Sequence, residues 1–193
     1  MPGFLGLAEC AALGADVRAL HDAGVLRAAG IGGTRALRVD PSVRADSIHW
    51  LDEPTLSVAQ RAGWDSLDRL RVALNRRLFF GLTSIEAHLT SYQPGAAYRK
   101  HVDNVHGSTR RVVSCVLYLN PDWQEEHGGQ LRIYASSDHA VVAQDVAPRA
   151  GTLVCFLSAE ISHEVLVTTH ERLSMTGWLS ARQDPAARTS SAG

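Results

Sequence analysis

The sequence lacks the features that mark a membrane-spanning or strongly charged protein. None of its apolar runs approaches the roughly 20 residues that a helix needs to cross a bilayer. The formal net charge is −1 at pH 7, so no overall field favours nucleic acid or an anionic membrane. The apolar run at residues 4–15 has no positively charged leader and contains Glu9, which favours the start of a helix over a signal peptide. We therefore expect neither a membrane nor a nucleic acid as a partner.

Cysteine is also scarce, and the three cysteines are widely separated along the chain. Cys115 and Cys155 lie in apolar runs, where a reduced core thiol is more usual than a metal ligand or a nucleophile. An odd, scattered set fits a reducing compartment, so we expect a cytoplasmic protein. The remaining composition is ordinary: 193 residues, of which 45% are hydrophobic and 20% are charged, fit one globular domain.

Two helical segments precede a series of strands. Apolar residues recur at helical spacing over residues 8–29, with a break expected near Gly24 and an end at Gly30, and over residues 57–79, with an interruption expected at Gly63. After Gly81 the apolar period changes to two, which predicts strands. The predicted strands cover residues 38–40, 46–50, 85–92, 112–119, 130–134, 140–146, 152–157, 163–167 and 173–179.

This order of elements predicts an α+β fold. Helices followed by seven or eight short strands with turn signals between them indicate a barrel or jelly roll backed by the N-terminal helices. We expect one domain over residues 1–182, with helical support and a loop at 1–80 and the β core at 84–180. The polar segment 183–193, rich in Ala and Ser, is expected to be a disordered tail.

A His-x-Asp pair and a distant histidine carry the main chemical signal. Residues two apart on a strand point to the same face, so His101 and Asp103 can both reach one metal ion. Among the nine histidines, His101 is the only one followed two places later by an acidic residue, and His163 begins an apolar strand. Two histidines and one carboxylate form the facial triad that holds non-haem Fe(II) and leaves coordination positions open. The alternative is a polar loop after a Pro-Gly turn, because His-x-Asp alone is a common chance pattern.

An arginine on the next strand suggests a second half of the site. If that strand and the one starting at His163 form an antiparallel hairpin, His163 lies opposite Thr176 and shares a face with Arg172. Arg172 is then rooted roughly 13 Å along the strand from the ligand position, at ~3.3 Å per residue. That gap fits a short dicarboxylate with one end on the metal and the other paired with the guanidinium. Tyr92 and Tyr118 are either buried aromatics or hydrogen-bond donors to such an acid.

Several motifs resemble, in their order along the chain, those of one enzyme family. They are Tyr92-Gln93-Pro94-Gly95, His101-Val102-Asp103-Asn104, Val116-Leu117-Tyr118-Leu119-Asn120, Gly128-Gly129-Gln130-Leu131-Arg132-Ile133-Tyr134 and His163-Glu164-Val165, with Arg172 further on. This pattern is similar to the 2-oxoglutarate and Fe(II)-dependent prolyl hydroxylases of the prolyl 4-hydroxylase superfamily. It most resembles the oxygen-sensing prolyl hydroxylase-domain enzymes and their bacterial counterparts. The resemblance runs from about Arg44 to Trp178.

The resemblance implies a double-stranded β-helix, the jelly-roll fold also found in cupins, and a role for each motif residue. The implied iron ligands are His101, Asp103 and His163. Arg172 would pair with the distal carboxylate of 2-oxoglutarate, and Tyr118 would hydrogen-bond the same group. Tyr92 and Thr176 would line the pocket, and Trp178 would lie near the metal. The implied cosubstrates are 2-oxoglutarate and O2, with ascorbate as a further candidate.

The implied substrate is a prolyl residue in a protein, and in a bacterium a translation factor or a ribosomal protein is a plausible target. The stretch from Val43 to Trp50 resembles the family's Arg-Gly-Asp finger loop, which contacts the protein substrate, and places Arg44 and Asp46 at the substrate. Ala45 stands where that pattern often has Gly. The basic residues Arg35, Arg38 and Arg44 also favour a polypeptide. The alternatives are a hydroxylase of a free amino acid or other small molecule, and a metal-free jelly-roll binding module, against which the triad and the arginine argue.

Overall fold

The computed structural model of the protein describes residues 1–32, 38–104 and 110–182. These residues form two α-helices, Leu7–Asp22 (α1) and Val58–Leu78 (α2), and two short 3₁₀ helices. Their strands are Arg27–Ala28 (β1), Ser47–Trp50 (β2), Leu82–Tyr92 (β3), Tyr98–His101 (β4), Arg111–Tyr118 (β5), Leu131–Tyr134 (β6), Val142–Val146 (β7), Leu153–Leu157 (β8), His163–Val165 (β9) and Arg172–Ala181 (β10). The predicted loop residue Arg35 and the predicted tail lie outside the described residues.

The strands form two antiparallel sheets. The large sheet has the order β1-β2-β3-β10-β5-β8, and the small sheet has the order β4-β9-β6-β7. This is the predicted α+β arrangement, a double-stranded β-helix with α1 and α2 against the large sheet. In the described part of the chain, neither α-helix combines the length and the apolar character that a membrane crossing requires. The division of residues 1–182 as one domain stays a prediction.

Strand β10 separates two layers, because successive side chains of a strand point to opposite faces. Its apolar residues Leu173, Met175 and Leu179 belong to the core cluster formed with the helices. The alternate residues face the small sheet and line a cleft between the two sheets; they are Arg172, Ser174, Thr176 and Trp178. The alternation in one strand therefore builds the hydrophobic core and one wall of the cleft together.

Helix α2 is continuous through Gly63, so the predicted interruption there is wrong. A Cβ at Gly63 would lie 2.8 Å from Met175 Sδ and 3.0 Å from Leu13 Cδ1. The glycine therefore lets the helix pack closely on β10 and α1, which outweighs its low helix propensity. At the N-terminus of α2, Ser57 and Gln60 form a reciprocal capping box that sets the start of the helix.

Helix α1 ends at Asp22, next to the predicted break near Gly24, and among the described residues no helix continues to the predicted end at Gly30. Gly24 follows with φ +65°, a conformation that glycine adopts without steric cost and that ends the helix. The apolar residues that continued the helical spacing turn instead toward the sheet, where β1 pairs with β2. Of the predicted strand at 38–40, only Arg38 pairs, in an isolated bridge with Ile31.

The predicted hairpin between the last two strands is also wrong. Strand β9 pairs with β4 and β6, whereas β10 pairs with β3 and β5, so the two strands belong to different sheets. The connection between them is held by other loops: Thr168 N donates to Ala96 O, Gly95 N donates to Thr168 O, and Gly129 N donates to Val167 O. These hydrogen bonds hold the connection in a path that leads from the small sheet to the large sheet, so β9 and β10 do not form a hairpin.

Candidate active site

The three residues of the predicted triad lie together at one end of the cleft. His101 ends β4 and pairs directly with His163 at the start of β9, with ring centroids 4.2 Å apart. Asp103 follows β4, and its Oδ1 lies 3.5 Å from His101 Nε2 and 3.8 Å from His163 Nε2. The three potential ligand atoms lie within 4.8 Å of one another, which is compatible with a single metal ion. Pairing of β4 with β9 is what brings the distant histidine to the His-x-Asp motif.

Backbone carbonyls orient both imidazoles. His101 Nδ1 lies 2.8 Å from Arg99 O, and His163 Nδ1 lies 3.1 Å from Ile161 O. A carbonyl oxygen only accepts, so each Nδ1 carries the proton and each Nε2 presents its lone pair toward Asp103. This tautomer is the usual one for metal-ligating histidines, whose other nitrogen donates to a carbonyl or carboxylate.

The charge states of the triad also fit a divalent cation. Burial lowers the pKa of His163 to about 4, with the nearby His101 as the next cause, so His163 is neutral at pH 7. Burial opposes ionisation of Asp103, but the hydrogen bond that a protonated His101 donates, together with the charges of the two imidazolium rings, holds its pKa below its usual range. A further hydrogen bond from Ser114 acts in the same direction. The site thus offers a neutral imidazole and a carboxylate, the forms that bind metal.

At the other end of the cleft, Arg172 is almost fully buried, with 1% of its surface exposed. Its Nε donates to Gly129 O at 2.8 Å, and its guanidinium carbon lies 4.9 Å and 5.1 Å from the ring centroids of Tyr92 and Tyr118. Three buried polar atoms here have no hydrogen-bond partner among the described residues: Arg172 Nη2, Tyr118 OH and Ser174 Oγ. A buried cation and two hydroxyls without partners form a binding site for an anion.

The two tyrosines keep their protons at this site. Burial raises the pKa of Tyr118 to about 12, against the opposing effect of the Arg172 guanidinium. Burial likewise raises the pKa of Tyr92, with Asp46 as the next cause. Tyr118 therefore remains a donor at neutral pH. Thr176 lines the cleft, whose volume with its open mouth is about 480 Å³ and which joins the arginine to the triad.

Arg44, Asp46 and Trp178 lie on the wall of the same cleft. Arg44 Nε and Nη2 donate to Asp46 Oδ1 and Oδ2 at 2.7 Å and 2.9 Å, and the guanidinium lies 4.7 Å from the Tyr98 ring centroid. The pKa of Arg44 is raised because its pairing with Asp46 outweighs burial. The arginine is thus engaged by its own aspartate, and the pair braces the loop that resembles the finger loop.

Comparison with known proteins places this site in a family. Residues 87–180 match the family model described as the 2OG-Fe(II) oxygenase superfamily. The mouse protein called prolyl hydroxylase EGLN3 is 31% identical over 174 residues, which cover 84% of this chain and 69% of the relative. The chain belongs to the prolyl hydroxylases of the 2OG-Fe(II) oxygenase superfamily. This oxygenase spans only 42% of the length of human Egl nine homolog 1, to which it is 31% identical over 185 residues, 91% of this chain.

Solved structures agree with this assignment. A Pseudomonas putida prolyl-4-hydroxylase is 42% identical, with a TM-score of 0.84 over 95% of this chain and 91% of that chain. A Trichoplax adhaerens prolyl hydroxylase, solved with a hypoxia inducible factor peptide, is 25% identical, with a TM-score of 0.81 over 100% of this chain and 86% of that chain. The oxygenase fold and the need for Fe(II), 2-oxoglutarate and O2 predicted from the motifs are therefore confirmed.

Three further polar residues line or support the cleft of this oxygenase and were not predicted from the sequence. Ser174 is two residues from Arg172 on the same face of β10, so strand parity was a sufficient signal for it. Ser114 donates to Asp103 at 2.6 Å, a contact that only the packing of β5 against the loop after β4 reveals. His88 packs against the rings of both Trp50 and Trp178, and burial lowers its pKa to about 3. In the sequence, His88 has no feature that distinguishes it from any other residue of a predicted strand.

Proposed function

We propose that this 2-oxoglutarate-dependent dioxygenase hydroxylates a prolyl residue in a protein substrate. The observation that carries the proposal is the pairing of two half-sites in one cleft. One end has two histidines and a carboxylate with ligand atoms within 4.8 Å of one another. The other has three buried donors, one of them from Arg172, that have no partner in the described part of the chain. The likeness to prolyl hydroxylases over nearly the whole chain supports proline as the target.

The proposed Fe(II) ligands are His101 Nε2, Asp103 Oδ1 and His163 Nε2. Their donor types match the two-histidine, one-carboxylate set that non-haem Fe(II) oxygenases use, which leaves positions open for cosubstrates. Bound Fe(II) and 2-oxoglutarate supply the activation of O2, with decarboxylation to succinate and CO2 and transfer of an oxygen atom to a C–H bond. The protein's own part is to orient the reactants and to keep water away from them.

The proposed 2-oxoglutarate pocket lies at the Arg172 end. Arg172 Nη2 and Tyr118 OH would donate to the distal carboxylate, and Ser174 Oγ would be a third donor. A guanidinium suits this task because it stays charged when buried and matches the planar carboxylate. Tyr92 packs against the guanidinium, and Thr176 lines the path toward the metal end. Each of the three groups that lack a partner among the described residues would thereby gain one.

The protein substrate would enter past Trp178 and Trp50. Trp50 is 49% exposed, and its ring centroid lies 5.9 Å from that of Trp178, so an apolar aromatic surface leads to the metal end. The Arg44–Asp46 pair would support the adjoining loop against a polypeptide. We propose a translation factor or ribosomal protein as the substrate and a cytoplasmic location, which rests on the scarce, scattered cysteines.

The proposal is tested by comparing proteomes of source-cell lysates with and without the active enzyme. We expect a mass gain of one oxygen atom on proline in one or a few proteins, absent with His163→Ala. Turnover of a free amino acid without any new hydroxyproline in protein would instead favour the small-molecule alternative. Under anaerobic conditions, Fe(II) and 2-oxoglutarate should produce the visible charge-transfer band of a chelated 2-oxo acid; wild-type protein that gives no band would refute the cofactor assignment.

A further inference from the structure

The two oxygens of the Asp103 carboxylate lie in different surroundings. Oδ1 faces the two histidines, at 3.5 Å and 3.8 Å from their Nε2 atoms. Oδ2 points away from them and accepts two hydrogen bonds, from Ser114 Oγ at 2.6 Å and from Trp178 Nε1 at 3.0 Å. Ser114 Oγ in turn lies 2.8 Å from Ser158 Oγ. Both serines have 0% exposure, so solvent does not compete for these bonds.

The direction of each bond follows from the donors present. An ionised carboxylate only accepts and an indole N–H only donates, so Trp178 and Ser114 both donate to Oδ2. Because the single hydroxyl proton of Ser114 is used in that bond, Ser158 must donate to Ser114. The three side chains therefore form a directed relay, from Ser158 to Ser114 to Asp103, with Trp178 as a second donor at its end.

Asp103 lies on a different element from the groups that support it. It lies beyond the end of β4, whereas Ser114 is on β5, Trp178 is on β10, and Ser158 directly follows β8. The loop is also tied at the same point by its backbone, since Asn104 N donates to Ser158 O at 2.9 Å. The large sheet thus holds a carboxylate that belongs to a loop beside the small sheet.

We propose that Ser114, Ser158 and Trp178 are positioning residues that occupy Oδ2 of Asp103, so that only Oδ1 binds the metal ion. This inference rests on the proposed role of Asp103 as a metal ligand. Two donors on Oδ2 oppose rotation of the carboxylate and oppose its binding the metal through both oxygens. Binding through both oxygens would take a coordination position that the cosubstrates need.

The decisive variant is Ser114→Ala, which removes one donor from Oδ2 and leaves all three proposed ligands. Outer-shell partners of this kind typically contribute about tenfold to hundredfold in metal affinity, and we expect a loss in that range. Trp178→Phe removes the other donor while keeping an aromatic ring and should also weaken metal binding. Ser158→Ala should have a smaller effect, because Oδ2 keeps both donors. Affinity is measured by anaerobic titration of metal-free protein with Fe(II), and with Co(II) followed by its visible absorption.

Ser66→Ala is the matched control. Ser66 is also buried, but its hydroxyl donates to Ala62 O within α2, away from the cleft, so metal affinity should equal that of wild type. Thermal unfolding of each metal-free variant separates loss of metal binding from loss of the fold. As a second readout, the NMR signal of the Trp178 indole N–H, assigned by its loss in Trp178→Phe, should shift when Zn(II) binds. The position of this signal should differ in Ser114→Ala.

Asp103→Ala distinguishes failure of this inference from failure of the ligand assignment. If Asp103→Ala abolishes metal binding while folded Ser114→Ala and Trp178→Phe both bind within about twofold of wild type, well short of the tenfold expected, the positioning role is wrong and the ligand set stands. If Asp103→Ala itself binds metal as wild type does, the proposed ligand set is wrong and the inference fails with it. Weakened binding in Ser114→Ala with an unchanged Ser66→Ala supports the relay.

Discussion

The hydroxyl of Tyr118 provides a sharp test of the proposed 2-oxoglutarate pocket. The side chain is fully buried, and its OH has no hydrogen-bond partner among the described residues. Tyr118→Phe removes only this oxygen and keeps the ring against Arg172. We therefore expect the substitution to affect the cosubstrate strongly and the folded protein weakly.

The two effects have different sizes. A hydrogen bond to a charged group contributes about 1.5–3 kcal/mol, which corresponds to a roughly 10- to 150-fold loss of affinity for 2-oxoglutarate. In the protein without cosubstrate, no hydrogen bond to a protein group is lost. The free energy of unfolding should therefore change by less than about 1 kcal/mol, smaller than the usual cost of leaving a buried partner unpaired.

The assay titrates 2-oxoglutarate into the Fe(II)-loaded protein under anaerobic conditions and follows the charge-transfer band. Urea unfolding of the metal-free protein gives the free energy of unfolding. Tyr134→Phe is the control, because the Tyr134 hydroxyl donates to Glu164 and does not line the cleft. Unchanged 2-oxoglutarate affinity in Tyr118→Phe, together with a clear loss of stability, would refute the reasoning, since it would mean that the hydroxyl serves the fold and not the cosubstrate.

Three further predictions concern the support of the site and its charges. Gly129→Ala should weaken 2-oxoglutarate binding in the same titration more than Fe(II) binding. A Cβ at Gly129, whose φ is +65°, would lie 3.0 Å from Arg172 Cδ. A 2-oxoglutarate affinity equal to that of wild type would contradict this prediction. Asp46→Asn should lower the free energy of unfolding in urea by about 3 kcal/mol, because it breaks a buried ion pair, whereas a loss below about 1 kcal/mol would show that the pair adds little. Finally, His88 and His163 have pKa values lowered to about 3 and about 4, below the value near 6.5 of an unfolded chain. The unfolded state therefore takes up protons first as the pH falls below about 6.5, and the metal-free protein should lose about 1.4 kcal/mol of stability per pH unit for each histidine down to about pH 4. His88→Leu should halve the slope of the free energy of unfolding against pH. A free energy of unfolding that does not change over this pH range would contradict the prediction.

The residues that carry the chemistry were predictable because their chemical types are restrictive. His-x-Asp alone is a common chance pattern, but together with a second histidine at a strand start and an arginine on the next strand it favours a metal site. Parity within a strand was also reliable: Arg172 and Thr176 share a face, as predicted. Strand parity needs only local geometry, whereas the contact between His163 and His101 depends on the pairing of β4 with β9.

The pairing of strands that are distant along the chain was not predictable from the sequence. The predicted hairpin placed His163 opposite Thr176, whereas His163 pairs with His101, and Thr176 lies between His88 and Val116. Local turn signals cannot reveal that the connecting loop is held by hydrogen bonds from distant loops. The same limit applies to Gly63, whose role depends on Met175 of a strand far along the chain.

The register of β10 determines whether the two half-sites act together. Its inward residues run from Arg172 at the anion end to Trp178 at Asp103, a span of roughly 20 Å at ~3.3 Å per residue. A shift of one residue in the strand register of β10 would turn all of these inward side chains toward the layer of helices. Gly177 opposes such a shift, because a Cβ there would lie 2.9 Å from Leu67 Cδ1 and 3.2 Å from Glu86 O, so a larger residue at this position would have to displace its neighbours on α2 and β3. The close packing of the helices on β10 therefore fixes the distance between the cosubstrate anchor and the metal ligands.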